Sequence, residues 1–124
     1  MGYNGGTIVG SSKDFAIEIL MPASIGVNGH DIISKFAEII SAKIEGVTID
    51  GNDILVDGAK VMGSMERHFG HVYVWAAQVS FADYTDYIAK LCKKSSVKCP
   101  SKIDTNLLSR EQLEKEVLAW LQKR

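Results

Sequence analysis

Hydrophobic positions repeat with two different periods along the chain, and the switches between these periods predict the order of its secondary structure. Across Phe15–Met21 every second residue is apolar, which is typical of a half-buried strand. Between residues 32 and 44, isoleucines and Phe36 recur at three- and four-residue intervals, which predicts an amphipathic helix that ends at Gly46. Either Asn28 or Asp31 is suited to cap the start of that helix.

The middle of the chain predicts a hairpin, a short helix and a long strand. Apolar runs at 47–49 and 54–56 flank Asp50-Gly51-Asn52-Asp53, a turn sequence that accepts positive φ. Residues Ala59–Arg67 are compatible with a short helix that carries Val61, Met62 and Met65. His71–Phe81 has apolar residues on both faces, which predicts an interior strand.

The last part of the chain predicts two further helices separated by a loop. One amphipathic helix begins at Asp83, and residues 95–108 form a polar linker loop that Pro100 interrupts. Ser109 and Gln112 have the spacing of a capping box at the start of a C-terminal helix over 109–123. We expect the apolar stripe of that helix to pack on the domain or on a partner, because so short a helix is marginal alone in water.

Together these elements predict an α+β fold with a mostly antiparallel sheet and helices on one face. The order βαββαβα plus a C-terminal helix fits an open-faced sandwich, and a ferredoxin-like domain has almost the same order. A chain of 124 residues is most simply one domain over 1–124, with a core at 15–94, a linker at 95–108 and the final helix at 109–123.

Composition removes several classes of function. The formal net charge of −1 gives no overall attraction to nucleic acid or to an anionic membrane. No apolar run approaches the roughly 20 residues that span a bilayer, and the N-terminus lacks the features of a secretory signal, so we expect a cytoplasmic protein. Cys92 and Cys99 do not fit a zinc knuckle. We expect free thiols in a reducing compartment, and geometry leaves a disulfide open.

The order of elements over about residues 15–94 resembles the fold of the HPr family, the phosphocarriers of the bacterial sugar phosphotransferase system. Gly26-Val27-Asn28-Gly29-His30-Asp31 falls where that family carries its phosphorylation motif, and Ala59-Lys60-Val61-Met62 resembles the stretch that carries its regulatory serine. The resemblance implies the open-faced sandwich and a phosphate on His30. The sequence departs from the motif, because Asn28 takes the active histidine's place when the apolar phase of the helix is kept, and Val61 takes the place of the serine.

His30 is the residue with the most specific chemical interpretation. A phosphate on an imidazole at a helix N-terminus would meet unpaired amides and the positive end of the helix dipole. The alternative is an exposed loop histidine beside Asp31. Glu66, His68 and His71 are a weaker candidate for a zinc site, since rings separated by a glycine before a strand need not converge. We therefore expect no metal and no cofactor.

A local basic strip over 90–102 gives a third interpretation, a nucleic-acid-binding module. Its lysines could contact phosphates together with nearby tyrosines, although the rest of the chain is acidic and nucleic acid is an unlikely partner. The strip consists of Lys90, Lys93, Lys94, Lys98 and Lys102.

The sequence offers well-patterned elements and no convincing catalytic constellation. It therefore favours a non-catalytic regulatory, adaptor or inhibitor protein that binds another protein or itself through its sheet edge or C-terminal helix, with the phosphocarrier and the nucleic-acid module as alternatives. Tryptophan is enriched at interface hot spots, which makes the final helix the preferred contact element. The expected binding residues are Asn28, His30, Val117, Trp120 and Leu121.

Overall fold

The computed structural model describes residues 14–81 and 101–123. The strands are β1 (Phe15–Pro22), β2 (Val47–Asp50), β3 (Asp53–Val56), β4 (Ala59–Phe69) and β5 (Val72–Val79), and the helices are α1 (Gly29–Ser41) and α2 (Arg110–Gln122), with a 3-10 turn at Ala23–Ile25. All pairings are antiparallel, and the strand order is β1-β5-β4-β3-β2. The predicted α+β class is confirmed, as are the first strand, the first helix and the 47–56 hairpin.

One face of the sheet carries the core, because α1 lays its apolar stripe along it. Ile32, Phe36 and Ile40 on α1 are fully buried. They pack with alternate residues of the strands, and the rings of Phe36 and Trp75 lie 5.3 Å apart in a tilted arrangement. Burying apolar surface stabilises the folded state by roughly 25 cal/mol per Å². The burial of this stripe is the main reason that the helix stays on the sheet.

Local polar contacts fix where α1 begins. Asn28 is the N-cap residue, and its side chain accepts a hydrogen bond of 3.0 Å from the backbone N–H of Asp31. The Asp31 carboxylate accepts one of 3.4 Å in return from the N–H of Asn28, which completes a capping box. Both residues named as cap candidates therefore take part in the cap.

The C-terminal part of the described chain belongs to the same core. Residues 101–109 form no regular element, but Ile103 and Leu108 are 1% and 0% exposed. In α2, Leu113 and Val117 are fully buried, and α2 contacts α1. The segment expected to be a linker thus packs against the domain where it is described. Neither described helix is long and apolar enough to cross a bilayer.

One predicted element is wrong. Residues Ala59–Arg67 were expected to form a short helix, but they belong to β4, which pairs with β3 on one side and β5 on the other. Val61 and Met62 are both fully buried although they are adjacent, which breaks the alternation of a strand. The break comes from a β-bulge, and the resulting spacing of apolar residues imitates a helical stripe. The helix expected from Asp83 lies outside the described residues.

Shortening a core residue of α1 tests this packing. We expect Ile40→Ala to lower the free energy of unfolding by about 2–5 kcal/mol, because it removes buried methyl groups and leaves a cavity. Ile25→Ala is the matched control: Ile25 is 56% exposed, so its loss should cost about 0.5 kcal/mol or less. Urea denaturation measures both, and equal losses would contradict the described packing.

Candidate functional site

The sheet has a second face on which neither α1 nor α2 packs, and we call it the open face. In an antiparallel sheet, directly paired residues share a face and successive residues alternate between faces. The register therefore assigns residues of all five strands to the open face. They include Ala16, Glu18 and Leu20 on β1, Val74, Ala76 and Gln78 on β5, Gly63, Met65 and Arg67 on β4, Asp53 and Leu55 on β3, and Thr48 and Asp50 on β2.

Lys60 also lies on this face, because a β-bulge precedes Met62 in β4. Ile54 pairs with Met62 but the next residue, Leu55, pairs with Lys60, so Val61 is an extra residue on β4. In a regular register without the bulge, Lys60 would point to the helix-covered face with Met62, because side chains two apart share a face. Bulges re-aim side chains in this way. Here the bulge turns an ammonium group onto the open face.

Lys60, Asp53 and Gly63 together form what we call the lysine site. The Lys60 ammonium lies 3.4 Å from the Asp53 carboxylate, and the two side chains are 35% and 16% exposed. A Cβ atom at Gly63 would lie 3.0 Å from Cε and 3.1 Å from Nζ of Lys60, so the lysine stem lies close over a bare stretch of backbone. A partly exposed ion pair contributes only about 0–1 kcal/mol to stability. The Lys60 ammonium group can therefore turn from Asp53 to a ligand with little loss of stability.

The turn between β2 and β3 is fastened to β4 beside the lysine site. The backbone N–H of Ser64 donates to the carbonyl oxygen of Asn52 at 3.0 Å, and the Ser64 hydroxyl donates to the same oxygen at 2.6 Å. Gly51 allows the tight turn with φ +61°. Because Asn52 directly precedes Asp53, these bonds fix the backbone that carries the carboxylate of the site.

From the lysine site, the open face continues over small and apolar residues with polar and charged residues among them. Gly63 pairs with Gln78, and the next pair on the same face is Met65 with Ala76. Ala76 also pairs with Glu18 on β1, and beyond it the buried Val74 pairs with Arg67 on β4 and with Leu20 on β1, which is 61% exposed. A cation near these small and apolar residues suits an amphiphilic carboxylic acid.

A second polar cluster lies on the helix-covered face, at the start of α1. The Tyr73 hydroxyl donates a hydrogen bond to the Glu66 carboxylate. A Cβ atom at Gly29, the first residue of α1, would meet both groups, so the carboxylate lies close to the positive end of the helix dipole. Burial raises the pKa of Tyr73, and the hydrogen bond and negative charge of Glu66 raise it further. This cluster ties the sheet to the helix.

The residues expected to bind a partner lie away from the lysine site. Asn28 is used as the cap of α1, and His30 is exposed on the first turn of that helix, which packs on the covered face. Val117 is fully buried, and Trp120 and Leu121 are partly buried against the core. The apolar stripe of α2 is therefore used inside the domain.

The other candidates from the sequence do not form a site among the described residues. Within 14–81 and 101–123 no three histidine, cysteine or acidic side chains are grouped to hold a metal ion, so Glu66, His68 and His71 do not converge. In the basic strip only Lys102 is described, and it is exposed. The remaining lysines of the strip lie outside the described residues, as do Cys92 and Cys99.

The fold is similar to part of each of three solved structures. LipL1 of P. falciparum in complex with lipoate superposes with a TM-score of 0.78 at 15% identity, covering 98% of this chain and 38% of that one. A T. acidophilum protein assigned as a lipoate protein ligase, with bound lipoic acid, gives a TM-score of 0.70 at 11% identity, covering 98% and 56%. The biotin acetyl coenzyme A carboxylase synthetase of Helicobacter pylori with bound biotinylated ATP gives 0.64 at 13% identity, covering 99% and 56%.

The chain thus spans 38–56% of the length of these solved structures, and at such identities the likeness shows the fold alone. No protein-family model and no curated protein matches the sequence.

These neighbours correct two predictions from the sequence. The resemblance to HPr is wrong, because the solved structures that share this fold are lipoate- and biotin-ligase-like, and the segment compared with the regulatory serine of HPr is a strand. The predicted function is wrong as well, because the solved structures of similar fold are ligase-like. This applies to the non-catalytic regulatory, adaptor or inhibitor protein, to the phosphocarrier with phosphate on His30 and to the nucleic-acid module.

Sequence reasoning did not identify the lysine site. Lys60 was assigned to a helix, and its partner Asp53 was considered only as part of a turn. Two signals were present: Asp57-Gly58 marks a second tight turn, and a strand-length stretch follows it before the Gly70 turn. These signals favour a hairpin of β3 and β4, which would have brought Lys60 near Asp53.

The Tyr73–Glu66 contact makes a prediction about alkaline pH. Because the folded state raises the pKa of Tyr73, the contact stabilises the fold fully below the unfolded pKa of about 10 and loses that contribution as pH rises further. We expect the free energy of unfolding to fall more steeply between about pH 10 and pH 11 for the unsubstituted protein than for Tyr73→Phe. Urea denaturation across this range measures the slopes, and parallel slopes would contradict the assignment.

Proposed function

We propose that this chain is a ligase-like domain that binds a lipoate-type carboxylic acid on its open face, with Lys60 as the counter-ion of the carboxylate. The observation that carries the proposal is the lysine site: a half-buried ammonium group, 3.4 Å from Asp53, on the same face of the sheet as Met65 and Ala76. The fold supports the ligand class, since solved proteins of this fold hold lipoate, lipoic acid and a biotin conjugate.

The electrostatics of the site suit a carboxylate more than a neutral ligand. Lys60 and Asp53 are only partly exposed, so an added negative charge is screened less there than at the fully exposed surface. A charge-assisted hydrogen bond contributes about 1.5–3 kcal/mol. An ammonium group also neutralises the charge that develops when an acid is joined to a phosphate-bearing group, which is the kind of conjugate that the H. pylori neighbour holds.

Among the described residues, the centre of the covered face has no room for a ligand. Its side chains from α1 and the sheet are packed together, and the contact of Phe36 with Trp75 occupies its centre. The Glu66 carboxylate at the start of α1 already has the Tyr73 hydroxyl as a partner, and its negative charge would repel an acid. The positive charge of Lys60 therefore makes the lysine site a better place for an acid than the start of α1.

Replacing the lysine tests the proposed counter-ion. We expect Lys60→Met to weaken lipoate binding by about 10- to 100-fold, since one charge-assisted hydrogen bond is lost, and to leave the weaker binding of the neutral amide, lipoamide, unchanged. Isothermal titration calorimetry measures both affinities. Lys35→Met is the matched control, because Lys35 is also half-buried and lies 3.3 Å from the Glu38 carboxylate. Equal lipoate affinity of the Lys60→Met variant and the unsubstituted protein would refute the assignment.

Filling the space at Gly63 tests the geometry without removing charge. In Gly63→Ala the new methyl group would displace the flexible end of Lys60, so we expect weaker lipoate binding with little change in stability. Gly70→Ala gives the reverse pattern: Gly70 lies in the β4–β5 turn with φ +58°, so alanine should cost about 1 kcal/mol of stability and leave binding intact. Unchanged lipoate affinity in Gly63→Ala would count against the site.

A further inference from the structure

We infer that the backbone amide of Ser101 positions Lys60 by stabilising the bulge of β4. This inference rests on the proposed function of Lys60. The N–H of Ser101 donates to the carbonyl oxygen of Lys60 at 2.8 Å. The N–H of Ser80 donates to the carbonyl oxygen of Val61, also at 2.8 Å. Both carbonyls at the bulge are therefore satisfied by segments beyond the regular strand pairs.

These bonds matter because a bulge interrupts the hydrogen bonds between strands that normally pair the backbone N–H and C=O groups. The extra residue leaves backbone groups without cross-strand partners, and a buried, unpaired carbonyl costs about 1–3 kcal/mol. At the fully buried Val61 the donor is Ser80, and at the neighbouring Lys60 it is Ser101. An added segment that donates at this point stabilises the bulged register over the regular one. The regular register would turn Lys60 toward the covered face.

The segment that donates is itself anchored. The N–H of Ile103 donates to the carbonyl oxygen of Ser80 at 2.9 Å, and the Ile103 side chain is 1% exposed. Leu108 is fully buried a few residues later. Residues 101–103 thus run along the end of β5 and the start of β4 as a strap, with Ser101 at the position that meets Lys60. Ser101 acts through Lys60 and is a positioning residue.

The test is to remove the amide hydrogen of Ser101, with a second variant that keeps it. Ser101→Pro removes the donor, and Ser101→Ala keeps it while removing the hydroxyl. We expect Ser101→Pro to raise the rate of Lys60 acetylation several-fold, as followed by peptide mass spectrometry, because the ammonium leaves its partly covered position beside Asp53. Lys35 in the same sample is the internal reference, being a half-buried lysine with a carboxylate partner on α1.

Three results would overturn the inference. An unchanged Lys60 rate in Ser101→Pro would show that the amide does not position it. A rise in Ser101→Ala of the same size would assign the effect to the hydroxyl. A parallel rise at Lys35 would mean that the whole fold had loosened.

A measurement on the unsubstituted protein applies if Ser101→Pro does not fold. A scalar coupling across the hydrogen bond, from the Ser101 nitrogen to the Lys60 carbonyl carbon, is expected in triple-resonance spectra, and its absence when neighbouring strand couplings are seen would refute the contact.

The ligand readout separates this inference from the proposed function. We expect Ser101→Pro to lower the preference for lipoate over lipoamide, and Ser101→Ala to keep it. If the unsubstituted protein shows no such preference, the proposed function fails while the acetylation result still decides the positioning role. If it shows the preference and Ser101→Pro keeps it in full, the positioning role fails and the proposed function stands.

Discussion

A single extra residue in β4 determines which chemistry this sheet presents. Side chains in a regular strand alternate between the two faces, so residues two apart share a face. The bulge at Val61 breaks this rule, and Lys60 and Met62 therefore lie on opposite faces. After the bulge, Met62 and Ser64 serve the core, and before it Lys60 meets Asp53 on the open face. Without the bulge, a lysine would be directed at the apolar core, where burying its charge would be strongly unfavourable.

The two faces of the sheet have different roles. The covered face supplies stability: α1 buries an isoleucine-rich stripe, α2 adds Leu113 and Val117, and the Tyr73–Glu66 contact ties the sheet to the start of α1. The open face contributes little to that core and carries the lysine site. Since the site depends on backbone geometry at a bulge, it requires the rigid scaffold that the covered face provides.

The sequence predicted the elements whose pattern is local, and failed where the pattern depends on pairing. The helix over 32–44 and the 47–56 hairpin were found because their signals, a 3.6-residue stripe and an Asp-Gly turn, lie within the elements themselves. Residues 59–67 were assigned to a helix because the bulge buries both Val61 and Met62, and such spacing is also helical. The lysine site was missed for the same reason, since it needs β3 and β4 to be paired in a shifted register that no local pattern reveals.

The central claim is that a carboxylic acid binds at the lysine site of the open face. The most direct test is a titration of the isotope-labelled protein with lipoate, followed by chemical-shift mapping of backbone and lysine side-chain resonances. The account predicts that the largest shifts fall on Lys60, Gly63 and Ala76, while the core of α1 stays unchanged. Shifts concentrated at the start of α1 around His30, with Lys60 and Gly63 unmoved, would contradict it.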